Sequence, residues 1–235
     1  MKVHVPGFPT EVSDPIELPD IAELLMYPAF QAIDADNFLK HATDFQRYLF
    51  GKVPIRNDRK YVLIRSGVWL LEPNSRSHVM TSGGWHIDGV ADDCHVCPDE
   101  RVFILASPCS ALTEFNLNPL EVESEPGESR KHFMNKIARE PEKYGVIPRM
   151  IEPGRIYTFE NHLHRAIDPK RIEFRYFLRV RETDSAGNKS TPIKDLFIHD
   201  VGGPDRINIH YDANKISIYY PRSMQRAPQQ YTAAS

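Results

Sequence analysis

The chain has 235 residues, which is the length of one large domain and is enough to bury a core without disulfides. Charged residues make up 26% of the sequence and hydrophobic residues 41%, so the composition excludes a globally disordered protein. The 29 basic and 32 acidic side chains give a net charge of −3, which argues against a nucleic-acid-binding protein. The sequence contains neither an apolar run of about 18 residues nor a signal-peptide pattern, so we expect a cytoplasmic protein without a membrane helix.

The N-terminal region predicts an extended arm followed by helices. Residues up to about Pro19 are rich in proline and turn-forming residues, which is typical of an arm. A short helix is expected over 21–29. A longer helix is expected over 35–49, because apolar residues recur there at three- and four-residue spacing, and Gly51 is placed to end it.

From residue 60 onwards the hydrophobic pattern becomes that of short β-strands. Two strands are expected on either side of Ser66-Gly67, where Ser and Gly indicate a turn. Further strands are expected at 101–106, 112–117, 155–159, 174–180, 206–211 and 215–220. The last two of these strands form a predicted pair joined around Asp212.

Many short strands preceded by helices predict a mainly β domain, either a sandwich or a barrel, with the helices packed on one sheet. The whole chain, 1–235, is interpreted as a single domain in which residues 20–50 form the helical cover. A long insertion is expected over 118–147, with a charged helix at 128–140 inside it, and such an insertion is more often functional than idle. Residues 221–235 are expected to form a loose tail.

The segment 83–89 carries the most informative residues of the chain. Alternate residues of a strand point to the same face, so His86 and Asp88 are expected to project together. An imidazole and a carboxylate side by side are two ligands for a metal ion. A further histidine would complete a facial triad, which leaves neighbouring positions open on an octahedral ion.

A matching second half lies further along the chain. It consists of a Pro-Gly pair, a predicted strand that ends in Phe, a histidine, a proline and an arginine: Pro153-Gly154, Phe159, His164, Pro169 and Arg175. The two histidines are 78 residues apart, and the arginine follows the second histidine by 11 residues. Over about residues 60–181 this pattern resembles the iron(II)/2-oxoglutarate-dependent oxygenase superfamily, which carries an H-x-D…H motif on a double-stranded β-helix (jelly-roll) fold.

The resemblance implies a jelly-roll core over 60–220 and a set of site residues. His86, Asp88 and His164 would bind Fe(II), and Arg175 would bind the distal carboxylate of the co-substrate 2-oxoglutarate. Arginine suits that role because its planar guanidinium pairs with a carboxylate through two parallel hydrogen bonds.

Two of these assignments have alternatives in the sequence. His162 competes with His164, because strand alternation places both on one face. His164 is preferred because the arginine and the proline of the motif follow it. Arg171 and Arg179 compete with Arg175, and a solvated basic face of the strand would also explain these arginines.

The resemblance implies an oxidoreductase that uses O2 to hydroxylate or otherwise oxidise a C–H bond of a small-molecule substrate, while 2-oxoglutarate is converted to succinate and CO2. Asp88 favours this outcome over halogenation, because halogenating relatives lack the carboxylate ligand. Two other classes of protein fit the same residues. One is a cupin-like or zinc-type metalloenzyme that uses the three ligands without 2-oxoglutarate. The other is a non-enzymatic jelly-roll binding module.

Two further motifs are weaker. Cys94 and Cys97 have C-x-x-C spacing, but a zinc site needs two more ligands, so we interpret the segment as a loop with free thiols. Arg175 and Arg181 have the R-x5-R spacing of nucleic-acid demethylases in the same superfamily, and the acidic net charge argues against that reading. The sequence predicts neither the identity of the substrate nor the oligomeric state.

Overall fold

The computed structural model describes residues 2–71, 73, 84–88 and 100–184, together with the strand segments 197–200, 208–212, 215–219 and 229–232. The strands described below all pair antiparallel. The fold is mainly β, as the sequence predicts. The jelly-roll arrangement of these strands stays a prediction. None of the described helices has the length and apolar character needed to cross a membrane.

The N-terminal arm contains two edge strands. Strand β1 (Lys2–Val5) pairs with β7 (Leu120–Glu123), and β2 (Thr10–Glu11) pairs with β9 (Tyr157–Phe159). The two valines of β1 are buried and alternate with exposed residues, which is the pattern of a strand with one face in the core. The arm is therefore attached to the body of the protein at two places.

Three short helices follow the arm: α1 (Ile21–Leu25), α2 (Ala35–His41) and α3 (Asp44–Gly51). The prediction of one continuous helix in the region of α2 and α3 is wrong. Thr43 has an extended backbone and starts a new helix, because its side chain accepts a hydrogen bond from the backbone N–H of Gln46. The Gln46 side chain accepts one from the backbone N–H of Thr43 in return, which completes a capping box.

The largest sheet has six strands in the order β2-β9-β5-β11-β4-β3, where β3 is Phe30–Asp34, β4 is Tyr61–Leu71, β5 is Glu100–Ala106 and β11 is Glu173–Thr183.

The prediction of two strands separated by Ser66-Gly67 is wrong, because β4 is continuous over 11 residues. Ser66 and Gly67 pair in register with Leu178 and Phe177 of β11. Tertiary pairing therefore overrides the local turn tendency of Ser-Gly.

The three N-terminal helices cover one face of the six-stranded sheet. Their buried apolar side chains meet those of β11 in one cluster that includes Leu24, Phe38, Leu49, Tyr176, Leu178 and Val180. Gln46 is also buried there, and its Nε2 donates to the carbonyl of Pro28 at 2.7 Å and to Oγ of Ser66 at 3.2 Å. The polar groups under the helices are thus hydrogen-bonded, as buried polar groups need to be.

A smaller sheet of three strands, in the order β10-β6-β8, contributes to a second cluster. Its strands are β6 (Glu114–Asn116), β8 (Pro148–Met150) and β10 (His164–Arg165). The cluster joins apolar side chains of β5, β6 and β9 and includes Val102, Ile104, Phe115, Ile151, Tyr157 and Phe159. Apolar packing in this cluster therefore links the three-stranded sheet to the six-stranded sheet.

The insertion between β6 and β8 contains β7 and the helix α4 (Arg130–Arg139), so the helix predicted inside the insertion is confirmed. Phe133 and Ile137 of this helix are buried in one cluster with Trp85 and Ile87. The insertion thus packs against the segment that carries the H-x-D motif.

The C-terminal strands form a sheet of their own in the order β12-β13-β14-β15, with β12 at Phe197–Asp200, β13 at Asn208–Asp212, β14 at Lys215–Tyr219 and β15 at Gln229–Thr232. The pairing of β13 with β14 agrees with the predicted late pair. The prediction of a loose tail over 221–235 does not hold for β15, which pairs with β14. Tyr and Thr in β15 favour strands, and the paired edge of β14 supplies the partner.

Candidate metal centre

The H-x-D motif lies on an extended segment, residues 84–88, whose inner side is fixed by α4. Trp85 and Ile87 are buried against this helix. The backbone N–H of Ile87 donates to Sδ of Met134 at 3.1 Å. Alternate side chains of an extended segment point to opposite sides, so His86 and Asp88 project away from α4.

His86 and His164 are neighbours in space. The backbone N–H of His86 donates to the carbonyl of His164 at 2.8 Å, and the N–H of His164 donates to the carbonyl of His86 at 2.9 Å. These two bonds form an isolated antiparallel bridge. The centroids of the two imidazole rings are 4.3 Å apart.

The three predicted metal ligands form one group. His86, Asp88 and His164 each offer one ligand atom, and these atoms lie within 4.8 Å of one another. Oδ1 of Asp88 is 3.8 Å from Nε2 of His86, and Oδ2 is 3.5 Å from Nε2 of His164. The group can therefore hold a metal ion.

Hydrogen bonds to the backbone orient both imidazoles for this role. Nδ1 of His86 lies 2.8 Å from the carbonyl oxygen of Gly84, and Nδ1 of His164 lies 2.9 Å from the carbonyl oxygen of His162. A carbonyl oxygen only accepts hydrogen bonds, so each Nδ1 is the donor and each Nε2 is the nitrogen left to face a metal ion. Metal-binding histidines are commonly held in this way, and the donor set fits a divalent ion.

Aromatic rings enclose the side of the centre formed by His164. The imidazole of His164 stacks on Phe115 at a centroid distance of 5.2 Å and an interplanar angle of 27°. Phe159 meets the same imidazole edge-on at 5.1 Å. His164 is buried, and these rings leave it little freedom to rotate.

His162, the alternative ligand, lies outside the group. Its Nδ1 accepts a hydrogen bond from the backbone N–H of Glu160 at 3.3 Å, and its ring lies edge-on to Phe115 and Phe159. Burial, with an electrostatic contribution from His164, lowers the pKa of His162 to about 4. Within the described residues, the second histidine of the group is therefore His164.

Asp88 is paired with an arginine. Nη2 of Arg179 donates to Oδ2 of Asp88 at 2.6 Å, and the two side chains are 27% and 17% exposed. Burial alone raises the pKa of Asp88, but the charge of Arg179 and the interactions with His164 and His86 outweigh burial and hold this pKa well below its usual range. The carboxylate is therefore ionised, as a metal ligand has to be.

Arg175 is held in a different environment on the same face of β11. Its Nη1 donates to the carbonyl of Ala111 at 2.7 Å, and its guanidinium carbon lies 5.1 Å from the ring centroid of Phe177. Its Nε is enclosed and has no hydrogen-bond partner, and no carboxylate lies within ion-pair distance in the part of the chain that the structure describes. Burial lowers the pKa of Arg175. Its assignment as the 2-oxoglutarate anchor stays a prediction.

The remaining arginines on this strand and before it have other partners. The Arg171 side chain is 82% exposed, and its Nε lies 3.6 Å from a carboxylate oxygen of Glu173. Nη1 of Arg181 lies 3.2 Å from the buried carboxylate of Glu100. Arg179 is thus the arginine that reaches a predicted metal ligand among the described residues, and the sequence named it only as an alternative anchor.

Cys94 and Cys97 lie outside the described residues. Cys109 is a half-buried free thiol whose pKa is raised by burial, so it is a poor nucleophile.

The sequence named Phe159 as the end of the motif strand before His164, but Phe115 and Met134 were not identified as parts of the centre. Both are apolar, and no spacing relative to the motif marks them. Strand alternation places Arg179 on the same face of β11 as Arg175, and this is the one sequence signal for its position.

Comparisons of the chain with protein-family models, with curated proteins and with solved structures give no match. The site geometry and the resemblance of the motifs are therefore the basis for a functional proposal.

Proposed function

We propose that the protein is an iron(II)- and 2-oxoglutarate-dependent oxygenase that oxidises a C–H bond of a small molecule. The observation that carries the proposal is the group of His86, Asp88 and His164, whose ligand atoms are gathered within 4.8 Å. Two imidazoles and one carboxylate are the donor set of the facial triad, which leaves positions on the ion for a bidentate 2-oxo acid and for O2.

A zinc-type or cupin-like metalloenzyme would use the same three ligands without a 2-oxo acid. Arg175 favours the oxygenase. Among the described residues the Nε of this guanidinium has no partner, which is costly unless an anion pairs with it, and the distal carboxylate of 2-oxoglutarate is such an anion.

In this proposal the chain binds and orients both reactants. His86 and His164 use Nε2, and Asp88 uses a carboxylate oxygen, to hold the metal. Arg175 holds the far end of 2-oxoglutarate, which fixes the direction in which the 2-oxo acid lies. Bound iron supplies the activation of O2 and the oxidation of the 2-oxo acid. Phe115 and Phe159 keep water from the side of the centre where they cover His164.

The test is anaerobic reconstitution with Fe(II), followed by measurement of the O2-dependent conversion of 2-oxoglutarate to succinate. Slow uncoupled turnover is expected without the primary substrate, and Asp88→Ala should abolish it. Asp168→Ala is the matched control, because it removes an exposed carboxylate four residues after His164.

Each outcome separates the candidate functions. Metal binding without 2-oxoglutarate binding or turnover would contradict the oxygenase and favour the zinc-type enzyme. A protein that binds neither metal nor 2-oxoglutarate would be a binding module. Turnover that survives Asp88→Ala would remove Asp88 from the ligand set.

A further inference from the structure

Arg179 makes a direct contact with the carboxylate of the metal-binding group. Its Nη2 is 2.6 Å from Oδ2 of Asp88, which is the length of a strong charge-assisted hydrogen bond. The other carboxylate oxygen, Oδ1, is the one nearest to Nε2 of His86, at 3.8 Å. The two oxygens of Asp88 thus have different neighbours.

The sheet fixes the place from which Arg179 acts. Arg179 lies in the middle of β11 and is paired in register with Arg65 of β4 on one side and Ile104 of β5 on the other. A central strand that is hydrogen-bonded on both sides moves little, so the backbone that carries the Arg179 side chain is rigid. Asp88, by contrast, lies on an extended segment that is joined to β10 by one isolated bridge.

From this contrast we infer that Arg179 is a positioning residue for the metal centre. It keeps the carboxylate of Asp88 oriented in the apo protein, and it engages Oδ2 so that Oδ1 is the oxygen left for a metal ion. The inference rests on the metal site of the proposed function and does not require that 2-oxoglutarate is the co-substrate.

Two effects of Arg179 oppose each other, and this opposition makes the inference testable. Its orientation of Asp88 favours metal binding, whereas its positive charge repels a divalent ion. If orientation dominates, removing Arg179 weakens metal binding. If repulsion dominates, removing Arg179 strengthens it. Substitution of a residue that supports a metal ligand in this way typically changes metal affinity by about 10- to 100-fold.

The experiment measures Co(II) binding to the apo protein by visible absorption under anaerobic conditions, without 2-oxoglutarate. Arg179→Met should raise the Kd for Co(II) by about 10- to 100-fold. It should also change the visible spectrum, because a released carboxylate can bind through both oxygens and raise the coordination number. Arg179→Lys should recover part of the affinity, since a lysine keeps the charge but loses the planar fork.

The matched control is Arg181→Met, two residues further along the same face, where the partner is Glu100. Its Co(II) affinity and spectrum should equal those of the wild-type protein. Unchanged or tighter Co(II) binding by Arg179→Met would overturn the inference, as would an equal effect of Arg181→Met.

A second measurement works without metal and covers the case in which Arg179→Met folds poorly. Apo Arg179→Met leaves the Asp88 charge without its arginine, so its Tm should fall below that of the wild-type protein. Asp88→Asn added to Arg179→Met should restore the Tm. Absence of that restoration would overturn the inference. If the wild type binds Co(II) but does not convert 2-oxoglutarate, the proposed oxygenase fails and the inference about Arg179 stands.

Discussion

The two faces of strand β11 differ in chemistry although they share one backbone. Tyr176, Leu178 and Val180 point towards the N-terminal helices and are fully buried in an apolar cluster. Arg175 and Arg179 alternate with them on the opposite face, where Arg179 donates to Asp88 of the candidate metal group and Arg175 donates to the carbonyl of Ala111. The pleat of a single strand thus separates the residues that hold the fold from those placed beside the site.

The two faces of β11 also differ in the hydrogen bonding of their buried polar atoms. On the helix side the hydroxyl of Tyr176 is 2.7 Å from Oγ of Ser66, which also accepts from Gln46, so the buried polar atoms are paired. On the other face Nε of Arg175 is enclosed and has no hydrogen-bond partner among the residues that the structure describes. A buried polar group in a folded protein usually has a hydrogen-bond partner, so the two faces of β11 differ in this respect.

The largest expected effect is loss of metal binding on the site side. His164→Ala removes an oriented Nε2 ligand and should weaken Co(II) or Mn(II) binding by more than about 100-fold. This loss exceeds the one expected when a residue that only supports a ligand is substituted. Calorimetric titration of the apo protein measures this. His162→Ala is the control and should bind metal as the wild type does, because its ring lies outside the group. Equal losses in both variants would show that the ligand is misassigned.

On the helix side, Leu178→Ala should lower the free energy of unfolding by about 2–5 kcal/mol, because it leaves a cavity in a packed cluster. Urea denaturation measures the change. The metal affinity of the folded variant should stay within about twofold of the wild type, since distant independent sites have nearly additive effects. A tenfold change in metal affinity would mean that the two faces are not independent.

Arg175→Ala is an intermediate case. Loss of a charge-assisted interaction of about 1.5–3 kcal/mol should raise the Kd for 2-oxoglutarate by about 10- to 100-fold. Metal affinity measured without 2-oxoglutarate should not change, in contrast to the Arg179 variants. Titration of 2-oxoglutarate into the Mn(II)-loaded protein checks this, with the exposed Arg171→Ala as the control. A stronger effect of Arg171→Ala would indicate that Arg171, and not Arg175, binds the distal carboxylate of 2-oxoglutarate.

The smallest expected effect is that of Tyr176→Phe. It removes the hydroxyl that is paired with Ser66 and should cost about 1 kcal/mol of unfolding free energy. Tyr48→Phe, which changes an exposed tyrosine of α3, should leave stability unchanged. A loss well above that of Leu178→Ala would show that the polar network, and not apolar packing, dominates the helix side.

Local patterns predicted the parts of the structure that local physics controls. Strand alternation placed His86 and Asp88 on one side, and the charged stretch in the insertion predicted α4. The break before α3 also had a readable signal, because Thr43 followed three residues later by Gln46 is the pattern of a capping box. The apolar periodicity continues through Thr43 without a break, so on its own it predicted one helix.

Tertiary pairing decided the features that the sequence did not predict. β4 is continuous because Ser66 and Gly67 are paired on β11, and no local rule shows that partner. The contact between Arg179 and Asp88 joins residues that are 91 positions apart in the chain. The choice of His164 over His162 likewise depends on which residue bridges to His86.

The bridge between His86 and His164 has a thermodynamic consequence for the whole domain. Two backbone hydrogen bonds close a loop of 78 residues, and the entropy of closing a loop this long opposes the contact. An ion bound by both histidines would cross-link the same loop and would bind the native state alone. The melting temperature should therefore rise with the free metal concentration, because stability increases as RT ln(1 + [L]/Kd). Metal supply would then tune the thermodynamic stability of the native state.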